Sequence, residues 1–214
     1  MNTRAAAPRW KAAFMHPAAK PLVFALCLLP FAQLLYGAVF DTLGANPAEA
    51  LLRATGDWTL RFLCIALAVT PARVLLGLPA LARFRRMLGL FVYFYAVVHL
   101  LCYAVFDQGL DLGEIWRDTL ERRFILVGML AFVLLTAMAA TSPQRMLKLL
   151  GARRWQWLHR SVYVVAGLGL LHFFWMRAGK NNFNEVFVYA AIVALLLGWR
   201  LQRALRKRRA ARLA

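Results

Sequence analysis

The sequence predicts an all-α integral membrane protein, a six-transmembrane-helix bundle with both termini in the cytoplasm. Two observations indicate a membrane protein: 62% of the 214 residues are hydrophobic, and the mean hydropathy is +0.59. A soluble domain of this length could not bury so much apolar surface. The third observation is a segregation of charge along the chain, which indicates how the helices are oriented.

Six stretches are long and apolar enough to cross a bilayer, which takes roughly 20 residues. Arg61 and Pro71 interrupt the second stretch, and we expect Pro30 to kink the first. Because the spans use nearly the whole chain, we expect one transmembrane domain over residues 21–201, with basic cytoplasmic tails at 1–20 and 202–214. The predicted spans are Pro21–Phe40, Trp58–Leu76, Leu88–Phe106, Phe124–Ala140, Tyr163–Met176 extended back to about Trp155, and Phe183–Leu201.

Basic residues are concentrated in four segments that alternate with the spans. The N-terminal tail has four, the loop after span two has four, the loop after span four has five and the C-terminal tail has seven, which makes 20 of the 27 Lys and Arg residues. All nine acidic residues fall on the opposite side. The positive-inside rule therefore places the four basic segments in the cytoplasm. Since each segment adjoins a span, attraction to anionic lipid explains the net charge of +18 better than nucleic-acid binding does.

Several classes of redox and catalytic site are excluded by their missing motifs. Cys27, Cys64 and Cys102 fall in three different spans, and no C-x-x-C-H sequence is present, which excludes a covalently attached c-type haem. There is no cysteine cluster for an iron–sulfur site and no nucleotide-binding or hydrolase motif. The histidines therefore remain as the candidate ligating residues.

His99 and His172 lie inside apolar spans, where an ionisable side chain is costly and usually functional. His99 follows Arg86 by 13 residues and His172 follows Arg160 by 12, rises of about 20 and 18 Å in a helix. Both spans start at the cytoplasmic side, so the two side chains should lie at the same depth in the outer half of the bilayer. Two such imidazoles suit the axial ligands of a b-type haem. The alternative is that each histidine makes an interhelical hydrogen bond and binds nothing.

The neighbours of the two histidines are consistent with a haem pocket. A small residue precedes each histidine by three positions, so that each helix face has room beside the ligand. These small residues are Ala96 and Gly169, and the apolar wall is predicted from Tyr95, Tyr103, Phe173 and Trp175.

His159 lies 13 residues before His172, about 20 Å lower in a continuous helix and at the cytoplasmic boundary. The corresponding depth on span three holds Arg85 and Arg86 rather than a histidine. Three roles stay open for His159: a ligand to a second haem with some other sixth ligand, part of the site of another redox group, or a cap at the start of the helix. His16, in the basic tail, is expected to have no ligand role.

The order and spacing of short motifs between Gly44 and Trp175 resemble those of a known family. The chain is similar to the ferric-reductase and NADPH-oxidase transmembrane domain, and more closely to the MsrQ family of haem-binding membrane subunits in bacterial protein-methionine-sulfoxide reductase systems. A second histidine on span three, found in the wider oxidase pattern, is missing here. The matching residues are Gly44-Ala45-Asn46-Pro47, Thr55-Gly56, Thr70-Pro71, Arg85-Arg86-Met87-Leu88-Gly89-Leu90, His99-Leu100, Tyr103, Thr141-Ser142, the run from Gly151 to Tyr163, and His172-Phe173-Phe174-Trp175.

The resemblance implies an electron-transfer subunit of the bacterial inner membrane, which does not itself reduce methionine sulfoxide. It implies one or two b haems with His99 and His172 as axial ligands, and FMN. Electrons would come from a cytoplasmic flavin reductase or the quinone pool. They would go to a periplasmic, molybdopterin-containing MsrP-type subunit that repairs oxidised envelope proteins. Contacts to an FMN phosphate are expected from Arg85, Arg86, Arg153 and Arg154, whose ordinary role is to anchor the helices at the cytoplasmic side.

Two other functions were weighed against this one. A transmembrane reductase of ferric iron or oxygen would need a separate flavin reductase, because the chain has no domain that binds a nicotinamide nucleotide. A transporter or channel with histidine proton relays should carry carboxylates within the membrane. We expect no Asp or Glu deep in any span, which disfavours the transporter.

Overall fold

The computed structural model describes residues 13–178 and 181–213; Arg4, Arg9 and Lys11 of the N-terminal tail and Lys180 lie outside the described residues. Within these ranges the chain is helical and has no strand. A 3-10 helix, Pro79–Phe84, leads into α3, and a π-helical turn, Tyr103–Asp107, follows it. The α-helices are α1 (Ala19–Val39), α2 (Pro47–Leu75), α3 (Arg85–Cys102), α4 (Leu112–Glu121), α5 (Arg123–Ala140), α6 (Gln144–Arg160), α7 (Val162–Ala178) and α8 (Asn184–Leu213).

Among the residues that the structure describes, six helical segments are long and apolar enough to cross a membrane, which confirms the predicted all-α, six-span fold. Helix α4 is too short and too polar to span. The segments are α1, α2, α3 together with its flanking turns, α5, α6 continued by α7, and α8. The side of the membrane on which each terminus lies remains a prediction from the charge pattern.

Helix α2 begins at Pro47 rather than at the predicted Trp58. Asn46 caps it, since its Oδ1 accepts a hydrogen bond from the Glu49 N–H at 3.1 Å, and proline is favoured at the first helical position that follows. The longer helix places Asp57 inside a membrane-spanning segment. Asp57 lies ten residues from the start of α2, and the expectation that no Asp or Glu lies deep in any span stays a prediction.

The fifth span is not the continuous helix that was predicted. Helix α6 ends at Arg160 and α7 begins at Val162, with Ser161 between them donating from its hydroxyl to the Leu158 carbonyl at 2.6 Å. Within α6, Gly151 has a φ of 75°, a left-handed conformation that breaks the helix there. The depth of His159 relative to His172 therefore cannot be obtained by counting residues along one straight helix.

Two close helix pairs frame the bundle: α2 packs along α3, and α5 packs along α7. Helix α5 also touches α3, whereas α3 and α7 are not among the closely packed pairs of the described ranges. The core beside α3 is aromatic. Tyr95 is fully buried and stacks on Phe62, with ring centroids 5.0 Å apart, and Phe62 stacks on Phe91 at 5.8 Å.

Proline interrupts the backbone hydrogen bonds of two spans, and a polar side chain from another helix bonds the backbone at or next to each interruption. Near Pro30 of α1, the Tyr95 hydroxyl donates to the Cys27 carbonyl at 2.8 Å and accepts from the Phe31 N–H at 3.1 Å. In α2, Pro71 has no N–H for the carbonyl of Leu67, four residues earlier. The guanidinium of Arg200 on α8 donates to that carbonyl instead.

Candidate functional site

The structure brings His99 of α3 and His172 of α7 together. Their ring centroids are 6.2 Å apart and the ring planes are nearly perpendicular, at 85°. The two histidines therefore face each other across the space between α3 and α7, whose backbones do not pack closely in the part of the chain that the structure describes.

In each imidazole, one nitrogen is hydrogen-bonded to a backbone carbonyl of another helix, which is α2 for His99 and α5 for His172. His99 Nδ1 lies 3.0 Å from the Leu52 carbonyl of α2 and 3.4 Å from the Thr55 hydroxyl. His172 Nδ1 lies 2.7 Å from the Phe124 carbonyl of α5. A neutral imidazole that donates from Nδ1 keeps the lone pair of Nε2 for a metal. Both histidines thus have the hydrogen bond at Nδ1 that is expected of metal-ligating imidazoles.

A glycine stands one helical turn after each acceptor carbonyl and makes room for the ring. A Cβ added to Gly56 would lie 3.0 Å from the His99 ring, and one added to Gly128 would lie 2.8 Å from the His172 ring. We call these two arrangements the imidazole seats. The His99 seat is the Leu52 carbonyl with Gly56, and the His172 seat is the Phe124 carbonyl with Gly128.

The sequence did not indicate the seats in full. Gly56 entered only through the resemblance, and Gly128 was not singled out. Gly169 was predicted to make room beside His172, but a Cβ added to Gly169 would have no neighbouring atom within 4 Å. The informative signal would have been a glycine at matching depth on the neighbouring span.

The spacing of the rings fits a metal held between them. Two metal–nitrogen bonds of about 2 Å, with about 1 Å from each nitrogen to its ring centre, separate two ligating imidazoles by about 6 Å. The observed separation is 6.2 Å. Within the described ranges no three His, Cys, Asp or Glu side chains form a metal-binding group. The donor set is thus a histidine pair, which suits the two axial positions of a six-coordinate b-type haem.

Three of the four residues predicted to wall the pocket have other partners. Tyr95 reaches α1, as described above. The Tyr103 hydroxyl donates to Asp118 at 2.6 Å, and Phe173 is buried with its ring edge towards Tyr189 at 6.1 Å. Trp175, the fourth, is partly buried. These side chains contribute mainly to helix packing.

His159 lies in the last turn of α6, apart from the histidine pair. Its Nε2 is 3.2 Å from the Thr141 hydroxyl, and its ring stacks on Trp155 with centroids 3.9 Å apart. Trp155 in turn donates from Nε1 to the Thr141 carbonyl at 2.9 Å. His159 therefore belongs to the end of one helix, and its role as a cap at a helix start is wrong. His16 is exposed, and its Nδ1 accepts from the Ala18 N–H at 3.2 Å.

The four arginines suggested for a flavin phosphate do not gather around one site. Arg86 donates to the Ser142 hydroxyl at 3.0 Å, and Arg153 and Arg154 are exposed on α6. Arg85 alone among the four lines a cavity of about 580 Å³ between α2, α3, α7 and α8.

A second polar group lies within the bundle and was missed in the sequence. Arg61 donates to the Tyr189 hydroxyl at 3.1 Å, and its guanidinium lies 4.7 Å from the ring centre of Trp58. Arg177 pairs with Glu185 nearby. These contacts explain how the second span accommodates an arginine, which was read as an interruption.

Comparison with known proteins places these features in a family. The sequence model described as "Ferric reductase like transmembrane component" matches residues 55–170. The chain is 72% identical over 187 residues to the protein-methionine-sulfoxide reductase heme-binding subunit MsrQ of Polaromonas naphthalenivorans, covering 87% of this chain and 85% of the relative. It is 50% identical to the MsrQ of Herminiimonas arsenicoxydans, covering 88% and 87%, and 48% identical to that of Rhodospirillum rubrum, covering 89% and 90%.

No solved structure matches the chain. The family nevertheless follows from the matched half of the chain and from these relatives, which are similar over most of their length. The chain therefore belongs to the MsrQ family of haem-binding subunits of protein-methionine-sulfoxide reductases, and its transmembrane part is of the ferric reductase type.

Proposed function

We propose that the protein carries electrons across the bacterial inner membrane to a periplasmic methionine sulfoxide reductase, with a b-type haem held by His99 and His172. The single observation that supports this best is the facing pair of imidazoles, each with Nδ1 held by a carbonyl and Nε2 left for iron. The names of the relatives, which call them heme-binding subunits, support the same cofactor.

When bound, the haem supplies a one-electron iron couple. The chain's own residues fix how the iron is held. The Leu52 and Phe124 carbonyls set the tautomer and the rotation of each ring, and such second-shell bonds make an imidazole a stronger ligand. The two glycines allow the rings to approach α2 and α5 closely.

We propose that electrons enter from the cytoplasmic side, from a flavin reductase through FMN or from the quinone pool. The acceptor is a molybdopterin-containing MsrP-type subunit, where two electrons and two protons convert a methionine sulfoxide to methionine and water. The reduction itself takes place on that partner. The charge segregation supports this orientation, with the basic segments towards the donor.

Two roles remain proposed for His159, as a ligand to a second haem or as part of the site of another redox group. The number of haems is accordingly one or two. For FMN, the proposed phosphate contacts remain Arg85, Arg86, Arg153 and Arg154. Arg85 and Arg86 have the stronger support, because each lines a cavity together with other basic residues.

The alternative function is a transmembrane reductase of ferric iron or oxygen that works with a separate flavin reductase. The match to the ferric reductase family favours this chemistry. It differs from the main proposal only in the electron acceptor. Oxidation of the dithionite-reduced protein by ferric chelates, oxygen or a periplasmic methionine sulfoxide reductase would distinguish the two functions.

The ligand assignment is tested by replacing each histidine. His99→Ala or His172→Ala should each remove the low-spin b-haem signal from reduced-minus-oxidised spectra and stop transmembrane electron transfer, because the iron loses one of its two protein ligands. Both variants should still insert, since alanine is tolerated in a span. A normally inserted His99→Ala protein with a full six-coordinate spectrum would contradict the pairing.

The other two histidines provide the comparison. His159→Ala should keep the spectrum of the paired site and slow electron delivery from the cytoplasmic side. His16→Ala is the matched control and should change neither the spectrum nor the rate, since His16 is exposed outside the bundle.

A further inference from the structure

We propose that the cavity lined by Arg85, Arg200, Arg203 and Lys207 binds the phosphate group of a ligand at the cytoplasmic surface of the membrane. We call it the basic cavity. It lies where the beginning of α3, the beginning of α7 and the distal part of α8 meet, next to the end of α2, and has a volume of about 580 Å³. Pockets for small molecules usually have volumes of about 300–1,000 Å³.

The charge of the basic cavity indicates an anionic ligand. Four cationic side chains line it, and no Asp or Glu is among the described residues that do so. Like charges that share one cavity repel each other, and a bound anion relieves this repulsion. Arginine binds phosphate through paired N–H donors, whereas lysine acts as a point charge, so three arginines and a lysine suit a phosphate well.

The guanidinium of Arg200 is held in place before any ligand binds. It donates to the Leu67 carbonyl that Pro71 leaves open and, at 3.0 Å, to the Leu196 carbonyl of its own helix. It also lies 5.9 Å from the ring centre of Tyr163. A cation fixed in this way loses little freedom on binding, which favours affinity.

Aromatic rings also line the basic cavity, next to its cationic side chains. Trp199 and Tyr163 both line it, and the Arg203 guanidinium lies 5.4 Å from the Trp199 ring centre. Two sources of phosphate fit this combination: the headgroup of an anionic phospholipid, and the phosphate of a flavin mononucleotide. If the ligand is the flavin mononucleotide, the inference rests on the proposed function. If the ligand is the phospholipid, the inference does not depend on the proposed function.

The test compares two double variants of the haem-loaded, full-length protein. Arg203→Gln with Lys207→Gln removes two cations of the basic cavity and spares Arg200, which bonds the backbone. Arg206→Gln with Arg209→Gln is the matched control, because it removes the same charge from exposed positions of the same helix that do not line the cavity. Binding of FMN is followed by quenching of flavin fluorescence. Binding of lipid is followed by native mass spectrometry of protein from nanodiscs of phosphatidylcholine with phosphatidylglycerol.

We expect the cavity variant to bind one of the two probes about tenfold more weakly than wild type, and the control variant to stay within about twofold. A selective loss of FMN binding identifies the nucleotide, and a selective loss of retained phosphatidylglycerol identifies the lipid; either outcome supports the site. Equal effects of the two variants on both probes, or no effect, would overturn it. The haem spectrum should be unchanged in both variants, so failure of this inference is distinguishable from failure of the histidine assignment.

Discussion

Gly128 and Gly56 allow the two ligand rings to approach their supporting helices closely, because neither residue has a Cβ. We expect Gly128→Ala to displace the His172 ring, because the new methyl group would lie 2.8 Å from Nδ1, and such overpacking costs about 1–3 kcal/mol. The haem of this variant should show altered low-spin electron paramagnetic resonance g-values and a changed midpoint potential.

Gly167→Ala is the control for this prediction, since a Cβ at that position meets nothing within 4 Å. It adds the same methyl group to the helix that carries His172 and should leave the spectrum as in the wild type. If the two variants behave alike, Gly128 has no special relation to the ligand.

The pairing of His99 with His172 was predictable because helical rise converts sequence position into depth. The imidazole seats were not, because the acceptor carbonyls lie on other helices, 47 and 48 residues away from their histidines. Backbone carbonyls also carry no residue identity, so no sequence pattern marks them. The role of His159 as a helix-start cap was wrong because it assumed one continuous helix.

At the scale of elements, Arg200 links α8 to α2 by donating to the Leu67 carbonyl, which Pro71 leaves without its helical hydrogen bond. We expect Arg200→Met to destabilise the protein by about 1–3 kcal/mol, because the Leu67 carbonyl is left unsatisfied. Pro71→Ala restores the N–H to α2. In that background, Arg200→Met should therefore cost less, and thermal unfolding of the detergent-solubilised holoprotein measures both costs. Additive effects of the two substitutions would show that Arg200 does not compensate for the proline.

The acidic segment Asp107–Glu121 lies between the third and fourth spans and contains helix α4. The Asp111 side chain caps this helix by accepting from the Gly113 and Glu114 N–H groups at 2.8 and 3.1 Å. Its carboxylates are not equivalent. Asp118 is buried, pairs with Arg122 and accepts from Tyr103 and Gln108, whereas Asp107, Asp111 and Glu121 are exposed. The exposed carboxylates are therefore the ones available to a partner.

We expect Asp107→Asn, Asp111→Asn and Glu121→Gln together to slow electron transfer to a basic periplasmic partner at low salt, because charge complementarity speeds encounter. The difference should shrink as salt is added. Asp118→Asn should instead lower the thermal stability, since Asp118 is buried and accepts hydrogen bonds from Tyr103 and Gln108. Stopped-flow reoxidation of the reduced haem by the partner measures the rate. Unchanged rates at low salt would exclude docking at this segment.

At the scale of the whole molecule, the charge pattern predicts the topology. Reporter fusions at Arg9, Arg85, Lys148 and Arg209 should report the cytoplasm, and fusions at Ala48, Gly113 and Lys180 the periplasm, because the basic segments stay inside. Paired alkaline phosphatase and green fluorescent protein fusions check each site. A periplasmic signal from either terminus would contradict the six-span orientation.

The number of spans was predictable because length and hydropathy are properties of each segment alone. The residues at which the helices begin and end were less predictable. Asn46 and Pro47 start α2 by capping, which extends it beyond its apolar part, and Gly151 and Ser161 divide the fifth span through local backbone geometry. Which helices pack against each other depends on contacts between segments far apart in the sequence, and hydropathy carries no information about such contacts.

The imidazole seats also determine which of the residues around the two histidines can be substituted without loss of the hydrogen bonds. At each seat the acceptor is a main-chain oxygen, which every amino acid supplies, so Leu52 and Phe124 can be exchanged for other helix-compatible apolar residues without loss of the hydrogen bond. The histidine and its glycine are the members of each seat that depend on residue identity. The proposed haem site, between four helices, thus depends at its two seats on four residue identities: His99, His172, Gly56 and Gly128.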